Sequence, residues 1–415
     1  MTDRVRHDHP PSATIGTETG QEPAAAHEQG DVRSMQPGLR VALVAEAAGG
    51  GVAVHLVDLI RELAARGVEV HLVVPLGDRL DDRILTDAAI CCCASVTRVP
   101  MYRSVSWRDM LSFVSVFRAL WKIQPHVVHA HSSKAGVLAR LCFGRWKKVY
   151  TPHAVYTLNP WLAPGPRRFY GSIERWFGNW LSDRIIAVSD DEARHLQTGL
   201  RIDASRITTI YNGVPGFSRL ARKTAREALG LRADAFVVGL VGRFEFQKGI
   251  DRFVDIARRV ATRCGDAVQF ALAGQGDIEA ATGMPVDALP SNIHVIGALP
   301  DARRFFCAFD VFALPSRYEG FPYVYLEAIA TGVPIVTTRV AGADAFVSTS
   351  GVGLVVDNSD DMTEFADAIT TIYESSPLRD RMAANCAATA RRFTAEGMVA
   401  RTLAVYRQAM TGSRE

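Results

Sequence analysis

The sequence predicts an α/β protein of two doubly wound domains, each built on a parallel sheet and facing the other across a cleft. Three observations carry that prediction. The chain has 415 residues, more than one ordinary core fills. From Arg40 onward, short apolar runs alternate with segments of helical periodicity, the signature of βαβ units. The alternation then starts afresh at Phe236, so the unit is used twice. A hydrophobic fraction of 48% with 22% charged residues is ordinary for a globular chain.

Residues 1–38 depart from that average. They carry Pro, Gly, Ala, Ser, Thr and charges with almost no large apolar side chains, and are read as a disordered leader; Met35 offers an alternative start. The leader lacks the apolar centre of a secretory signal, and no run of 18 apolar residues occurs. Seven cysteines, three of them consecutive (Cys91, Cys92, Cys93), follow no metal spacing and cannot all pair, which fits a reducing compartment. A cytoplasmic location is expected.

The first domain, residues 39–212, opens with the buried strand Val41–Ala45 and the turn Gly49-Gly50-Gly51. A helix over Val52–Arg66 places His55, Leu56, Leu59, Ile60 and Leu63 at helical spacing, and Val68–Val74 returns as a strand. Further strands are predicted at Val127–Ala130, Lys148–Thr151, Ile185–Val188 and Ile207–Ile210. The second domain, residues 213–394, follows a junction at Tyr211–Gly216. It begins with the strand Phe236–Val241, a polar loop over Gly242–Gly249 and a helix from Asp251. Strands at Val268–Ala273, Ile293–Ile296, Val311–Leu314 and Pro334–Thr337, with a helix over Tyr325–Thr331, complete it. The last segment, 395–415, reads as a helix expected to pack back on the first domain.

In open parallel sheets, ligands bind beyond the carboxyl ends of the strands, and several chemically suggestive residues fall there. Gly49, Gly50 and Gly51 follow the first strand and open a helix, so their N–H groups suit a phosphate or an acceptor hydroxyl, or form only a tight turn. Arg243 and Lys248 share one segment after a buried strand. Two fixed cations there could stabilise a diphosphate as its bond breaks. Glu319 and Glu327 flank the turn Gly320-Phe321-Pro322, with Glu319 in the loop and Glu327 about two turns into the next helix, placed for different hydroxyls of one extended ligand. His129 and His131 alternate along a strand, so both rings face one side; no third metal ligand is evident in sequence. No Asp-x-Asp pair occurs either. Neither a metal nor another cofactor is expected.

Charge is uneven. Between Tyr102 and Arg184 there are thirteen basic and three acidic side chains, although the whole chain carries only +3. Trp107, Phe113, Phe117, Trp121, Trp146, Trp161, Phe169, Tyr170, Trp176, Phe177 and Trp180 are interleaved with those cations. Rings with cations suit the headgroup zone of an anionic membrane, against the alternative that the rings are core. No nucleic-acid-binding motif accompanies the charge.

Arg243 with Lys248, Gly274-Gln275-Gly276, Pro315-Ser316 and the Glu319/Glu327 pair resemble the retaining glycosyltransferases of family 4, which have the GT-B fold of two Rossmann-like halves. The resemblance covers nearly everything from Arg40 and is most specific in the second domain. It implies that Arg243 and Lys248 grip the diphosphate of a UDP- or GDP-sugar. It also implies that Glu319 meets the sugar hydroxyls, Glu327 the ribose, and Gly274, Gly276 and Gly297 the nucleoside. Thr151-Pro152-His153-Ala154 matches the family's strand-end histidine beside the transferred sugar. The implied acceptor is a saccharide, with a lipid-diphosphate-linked one favoured by the basic aromatic stretch. Val340-Ala341-Gly342-Ala343-Asp344 departs from the family's Gly-Gly-x-x-Glu. An epimerase or hydrolase on the same fold would need a carboxylate pair at the sugar carbon; a non-catalytic sugar-nucleotide binder is the other alternative.

Overall fold

The computed structural model of the chain describes residues 38–46, 50–77, 85–102 and 107–412. The leader lies outside the described residues except for Gly38, and so does Gly49.

Among the described residues, thirteen strands form two parallel sheets. The first contains β1 (Arg40–Ala45), β2 (Glu69–Pro75), β3 (Ser95–Val99), β4 (Val127–His131), β5 (Lys147–Thr151), β6 (Arg184–Ala187) and β7 (Ile207–Thr209), in the order β3-β2-β1-β4-β5-β6-β7. The second contains β8 (Phe236–Phe244), β9 (Val268–Gly276), β10 (Ile293–Gly297), β11 (Val311–Leu314), β12 (Ile335–Thr338) and β13 (Gly353–Val356), in the order β10-β9-β8-β11-β12-β13. In each sheet the order reverses beside the first strand, between β1 and β4 and between β8 and β11. The crevice of a doubly wound sheet opens at such reversals. The central strands β1 and β4 are buried on both faces, which is why they read as unbroken apolar runs. The edge strand β3 is mostly half-buried and leaves no such run, so the sequence does not announce it.

Two predicted loops are strand. β8 continues through Gly242 and Arg243 to Phe244, and β9 through Gly274 and Gln275 to Gly276, paired Gly242↔Gly274, Arg243↔Gln275 and Phe244↔Gly276. Gly274 has φ +153°, and a β-carbon built on it would stand 1.7 Å from the Gly242 carbonyl oxygen. The glycines that suggest a loop are what permit this pairing. The helix after Pro322 spans Tyr323–Ala330, starting two residues before the expected Tyr325, so Glu327 lies just over one turn in rather than two.

Right-handed crossovers distribute the helices. The helices at Asp109–Ile123, Ser133–Leu141 and Pro164–Trp180 flank one face of the first sheet, the last two joined by the buried ion pair of Arg140 and Glu174 (2.9 Å). On the other face the Gly50–Ala65 helix packs against the final helix, Ala395–Thr411. Tyr406 of that last helix is fully buried, with its hydroxyl 2.7 Å from His129 Nδ1. A parallel bridge between Val214 and Thr394 joins the strand connecting the two sheets to the segment that enters the last helix. Among the described residues no helix is long and apolar enough to cross a membrane.

Candidate active site

The carboxyl ends of β1, β4, β5 and β8 bring four sets of residues together. Lys248, in a short turn after β8, has its Nζ 2.6 Å from Glu319 Oε1, and the two side chains are only 15% and 8% exposed. Arg243 is half-exposed and paired with Glu245 at 2.7 Å. Facing it from the first domain, a β-carbon built on Gly50 would lie 3.8 Å from Arg243 Nε, and one on Gly51 would lie 3.5 Å from the Tyr323 ring. The first turn of the Gly50–Ala65 helix therefore lies beside Arg243 and the start of the Tyr323–Ala330 helix. Two helix N-termini and two cations at one point favour a polyanionic ligand.

Glu327 lies just over one turn into the Tyr323–Ala330 helix. It is buried, and burial pushes its carboxyl up to about 7 against the pull of Arg303, with Asp301 adding to the rise. Asp58 of the Gly50–Ala65 helix is also raised to about 7, by burial first, with Arg303 opposing and Glu327 reinforcing. Its Oδ2 is buried without a hydrogen-bond partner. Glu327 thus shares its surroundings with Arg303 and Asp58, one helical turn from Tyr323.

At the end of β5 the backbone is strained. His153 and Ala154 have φ of +55° and +78°, the left-handed region that non-glycine residues rarely occupy. Glu192 holds the turn: its Oε1 accepts from Ala154 N and Val155 N, and its Oε2 from Val188 N, all at 2.9 Å. Burial raises this carboxyl while the three N–H groups oppose the rise. A β-carbon on Gly320 would fall 2.6 Å from Ala154 N, so only glycine lets the second domain come this close to the strained turn.

His153 Nε2 lies 3.0 Å from His131 Nδ1, and the His153 ring stands edge-on to His55 with centroids 4.6 Å apart. His55 Nδ1 contacts Asn212 Oδ1 at 3.2 Å and the Tyr323 hydroxyl at 3.0 Å, and Asn212 donates to the Phe321 carbonyl at 2.9 Å. Burial lowers His55 to about 4, partly opposed by Asn212. It also drives His129, His131 and His153 well below the usual imidazole range, helped by the neighbouring rings. These imidazoles are neutral at neutral pH. Of the two histidines that alternate along β4, His131 joins His55 and His153 in one cluster, while His129 is held by Tyr406 and Thr151.

The Gly320-Phe321-Pro322 turn lies beyond the carboxyl end of β11, and the glycines of β9 and β10 lie at or near the carboxyl ends of their strands. Phe321 packs its ring among Tyr211, Phe346 and Phe393 in the core. Pro322 caps the Tyr323–Ala330 helix, its carbonyl accepting from Tyr325 N. Gly274 and Gly276 lie on β9, and Gly297 ends the neighbouring β10 after a register shift. Asp344 is exposed and paired with Arg339, while Gly342 N reaches across to Asp191 Oδ2 of the first domain at 2.7 Å. Glu192 and Asp58 escape notice in sequence. Glu192 sits in a capping box with Ser189, whose Oγ accepts from its N–H, and so reads as an ordinary helix start.

Residues 49–215 match the family Glycosyltransferase Family 4, and residues 235–375 match Glycosyl transferases group 1. Sucrose-phosphate synthase from Thermosynechococcus elongatus superposes with a TM-score of 0.76 at 22% identity, covering 90% of this chain and all of that one. Anabaena HepE in complex with UDP superposes at 0.73 and 20% identity, over 89% of this chain and all of that one. The architecture is that of the two-domain GT-B glycosyltransferases. A D-inositol 3-phosphate glycosyltransferase of Xylanimonas cellulosilytica is 30% identical over 81% of each chain. The Escherichia coli UDP-Gal:alpha-D-GlcNAc-diphosphoundecaprenol alpha-1,3-galactosyltransferase is 26% identical over 75% of this chain and 80% of its own length. The chain belongs to the family 4 glycosyltransferases, and it is an enzyme of glycosyl transfer.

Proposed function

We propose that the chain transfers a hexosyl group from a UDP- or GDP-sugar to a saccharide acceptor with retention and without a metal ion, in polysaccharide synthesis. The observation that carries this reading is the buried Lys248–Glu319 pair at a cleft also lined by Arg243 and the Gly50–Gly51 helix start. Donor diphosphate oxygens displace Glu319 from Lys248 and Glu245 from Arg243. Both cations then face the charge that grows as the sugar–phosphate bond stretches. Glu319, released, accepts from hydroxyls of the sugar, and Glu327 with Arg303 takes the ribose. The neutral His153 hydrogen-bonds the transferred sugar.

The acceptor oxygen attacks the sugar carbon from the face the diphosphate leaves. The carbon–oxygen bond to phosphate breaks, the new glycosidic bond forms, and the acceptor proton passes to the leaving oxygen. The sugar carbon is oxocarbenium-like as this happens, so water must be kept out. Contacts such as Gly320 on Ala154 and Gly342 on Asp191 bring the halves close enough to do so.

The acceptor is proposed to be lipid-diphosphate-linked and the enzyme to work in the cytoplasm at the inner membrane face. Trp107, Trp121, Trp161, Phe169, Trp176 and Trp180 are exposed, as are Arg118, Lys122, Arg168 and Arg175, whereas Trp146 and Phe177 are core. Of these, Trp121, Phe169, Trp176 and Trp180 with the four cations lie on helices flanking one sheet face and suit an anionic headgroup layer, whereas Trp161 packs on Phe246. The name of the Escherichia coli relative, which carries a diphosphoundecaprenol acceptor, supports the same choice.

The deciding experiment screens nucleotide sugars by thermal shift and then measures nucleoside diphosphate release with and without lipid-linked acceptors. Acceptor-dependent release is expected. Equal release without acceptor would make the chain a hydrolase, and binding without release under any condition would make it a non-catalytic binder.

A further inference from the structure

We propose that His55, His131 and His153 form a binding site for one divalent ion of the zinc class. The three rings come from three elements, the Gly50–Ala65 helix and the ends of β4 and β5, yet one nitrogen of each lies within 4.8 Å of those of the other two. His55 and His131 are buried and His153 is half-buried. A second observation points the same way. His131 Nδ1 and His153 Nε2 lie 3.0 Å apart, close to the spacing of two ligands on one tetrahedral ion, and His131 Nε2 is fully enclosed without a hydrogen-bond partner, so no outer group competes for this ring.

The surroundings suit a metal. A ligating histidine holds its orientation by donating its other ring N–H to an outer acceptor. His55 has such an acceptor in Asn212 Oδ1, which is itself anchored to the Phe321 carbonyl. An all-imidazole donor set selects zinc, cobalt or nickel over magnesium or calcium, which want oxygen. The site is therefore not a diphosphate-clamping magnesium site and does not conflict with Arg243 and Lys248 serving the donor. Bonds of about 2.0–2.1 Å to a tetrahedral ion put ligand atoms about 3.3 Å apart, so nitrogens as much as 4.8 Å apart close in by up to about 1.5 Å, leaving the fourth position to water or a substrate oxygen.

An occupied site takes His153 away from the sugar. Zinc then acts as a reversible inhibitor that competes with the ligand at the end of β5, and chelation restores transfer. Sequence reasoning finds only the His129–His131 spacing, because His55 and His153 join it through the topology.

The test uses the full chain, dialysed against chelator and titrated with cobalt(II) while its visible d–d absorption is followed. One saturable equivalent per chain, displaced by zinc, is expected. Asn212→Ala should bind about 10–100-fold more weakly, His131→Ala should lose saturable binding, and His71→Ala should match the wild type. No saturable band in the wild type, or undiminished binding by His131→Ala, overturns the site. Should His131→Ala fail to fold, X-ray absorption of the zinc-loaded wild type decides: fewer than three imidazole ligands also overturns it. UDP binding is measured on the same samples, so a chain that binds UDP but no zinc loses only this inference.

Discussion

Replacing Lys248 separates its contribution to folding from its contribution to transfer. Its ammonium sits 2.6 Å from Glu319, with 15% and 8% of the two side chains exposed. Lys248→Met leaves a buried carboxylate unpaired, and breaking a buried pair from one side costs about 3–5 kcal/mol. The residual exposure puts this pair at about 3 kcal/mol. Lys248→Met with Glu319→Gln removes both charges and should return to within about 1 kcal/mol of wild type, because no isolated charge remains. Turnover should behave differently. A fixed cation aimed at developing charge contributes about 2.7–4 kcal/mol, or 10²–10³-fold in kcat, and neither variant has it. Urea unfolding reads the first effect, and acceptor-dependent nucleoside diphosphate release, measured where each variant is folded, reads the second. If the double variant regains turnover along with stability, Lys248 is only a structural partner of Glu319. The assigned role in transfer then fails.

Glu192→Gln disturbs three charge-assisted bonds at the strained turn. It should lower stability by about 2–3 kcal/mol in urea unfolding, and turnover should fall more than donor affinity because His153 sits on that turn. Asp58 is held at about 7 against an ordinary 3.8. Between those values the folded chain keeps a proton that the unfolded chain has lost, so this group's contribution falls as pH rises and levels off above about 7. Asp58→Asn should therefore gain on wild type by up to about 3 kcal/mol between about pH 5 and about pH 8, read by thermal melts; an unchanged difference would mean that Asp58 does not titrate there. Sedimentation with anionic liposomes should capture the protein at low salt and much less at high salt. Trp176→Ser with Trp180→Ser should weaken capture without altering transfer to a soluble acceptor, and capture by neither liposome condition would remove the membrane proposal.

What the sequence conveys depends on how far apart the cooperating residues lie. Arg243 near the end of one strand and Lys248 in the turn after it are five residues apart, and Glu319 leads a helix after another strand of the same sheet. Motif spacing alone therefore places both near one ligand, and the structure adds that Lys248 and Glu319 pair directly. The surroundings of Glu327 are less legible, because seven intervening residues say nothing about which groups a helix position meets. Its neighbours Arg303 and Asp58 come from another connection and another domain. The first domain is harder to read. His55 occupies one position in an otherwise apolar helix stripe, His131 is one step along a strand and His153 ends the next strand. Only the sheet order β1-β4-β5 brings the three together. Gly274 and Gly320 show the same limit in reverse, since a glycine reports that something lies close without reporting what. In one case the neighbour is a partner strand, and in the other it is the turn that carries His153. A site built mainly from one strand-to-helix connection can be read from motifs. One assembled where two domains meet needs the topology first, and the acceptor side of this cleft is of the second kind.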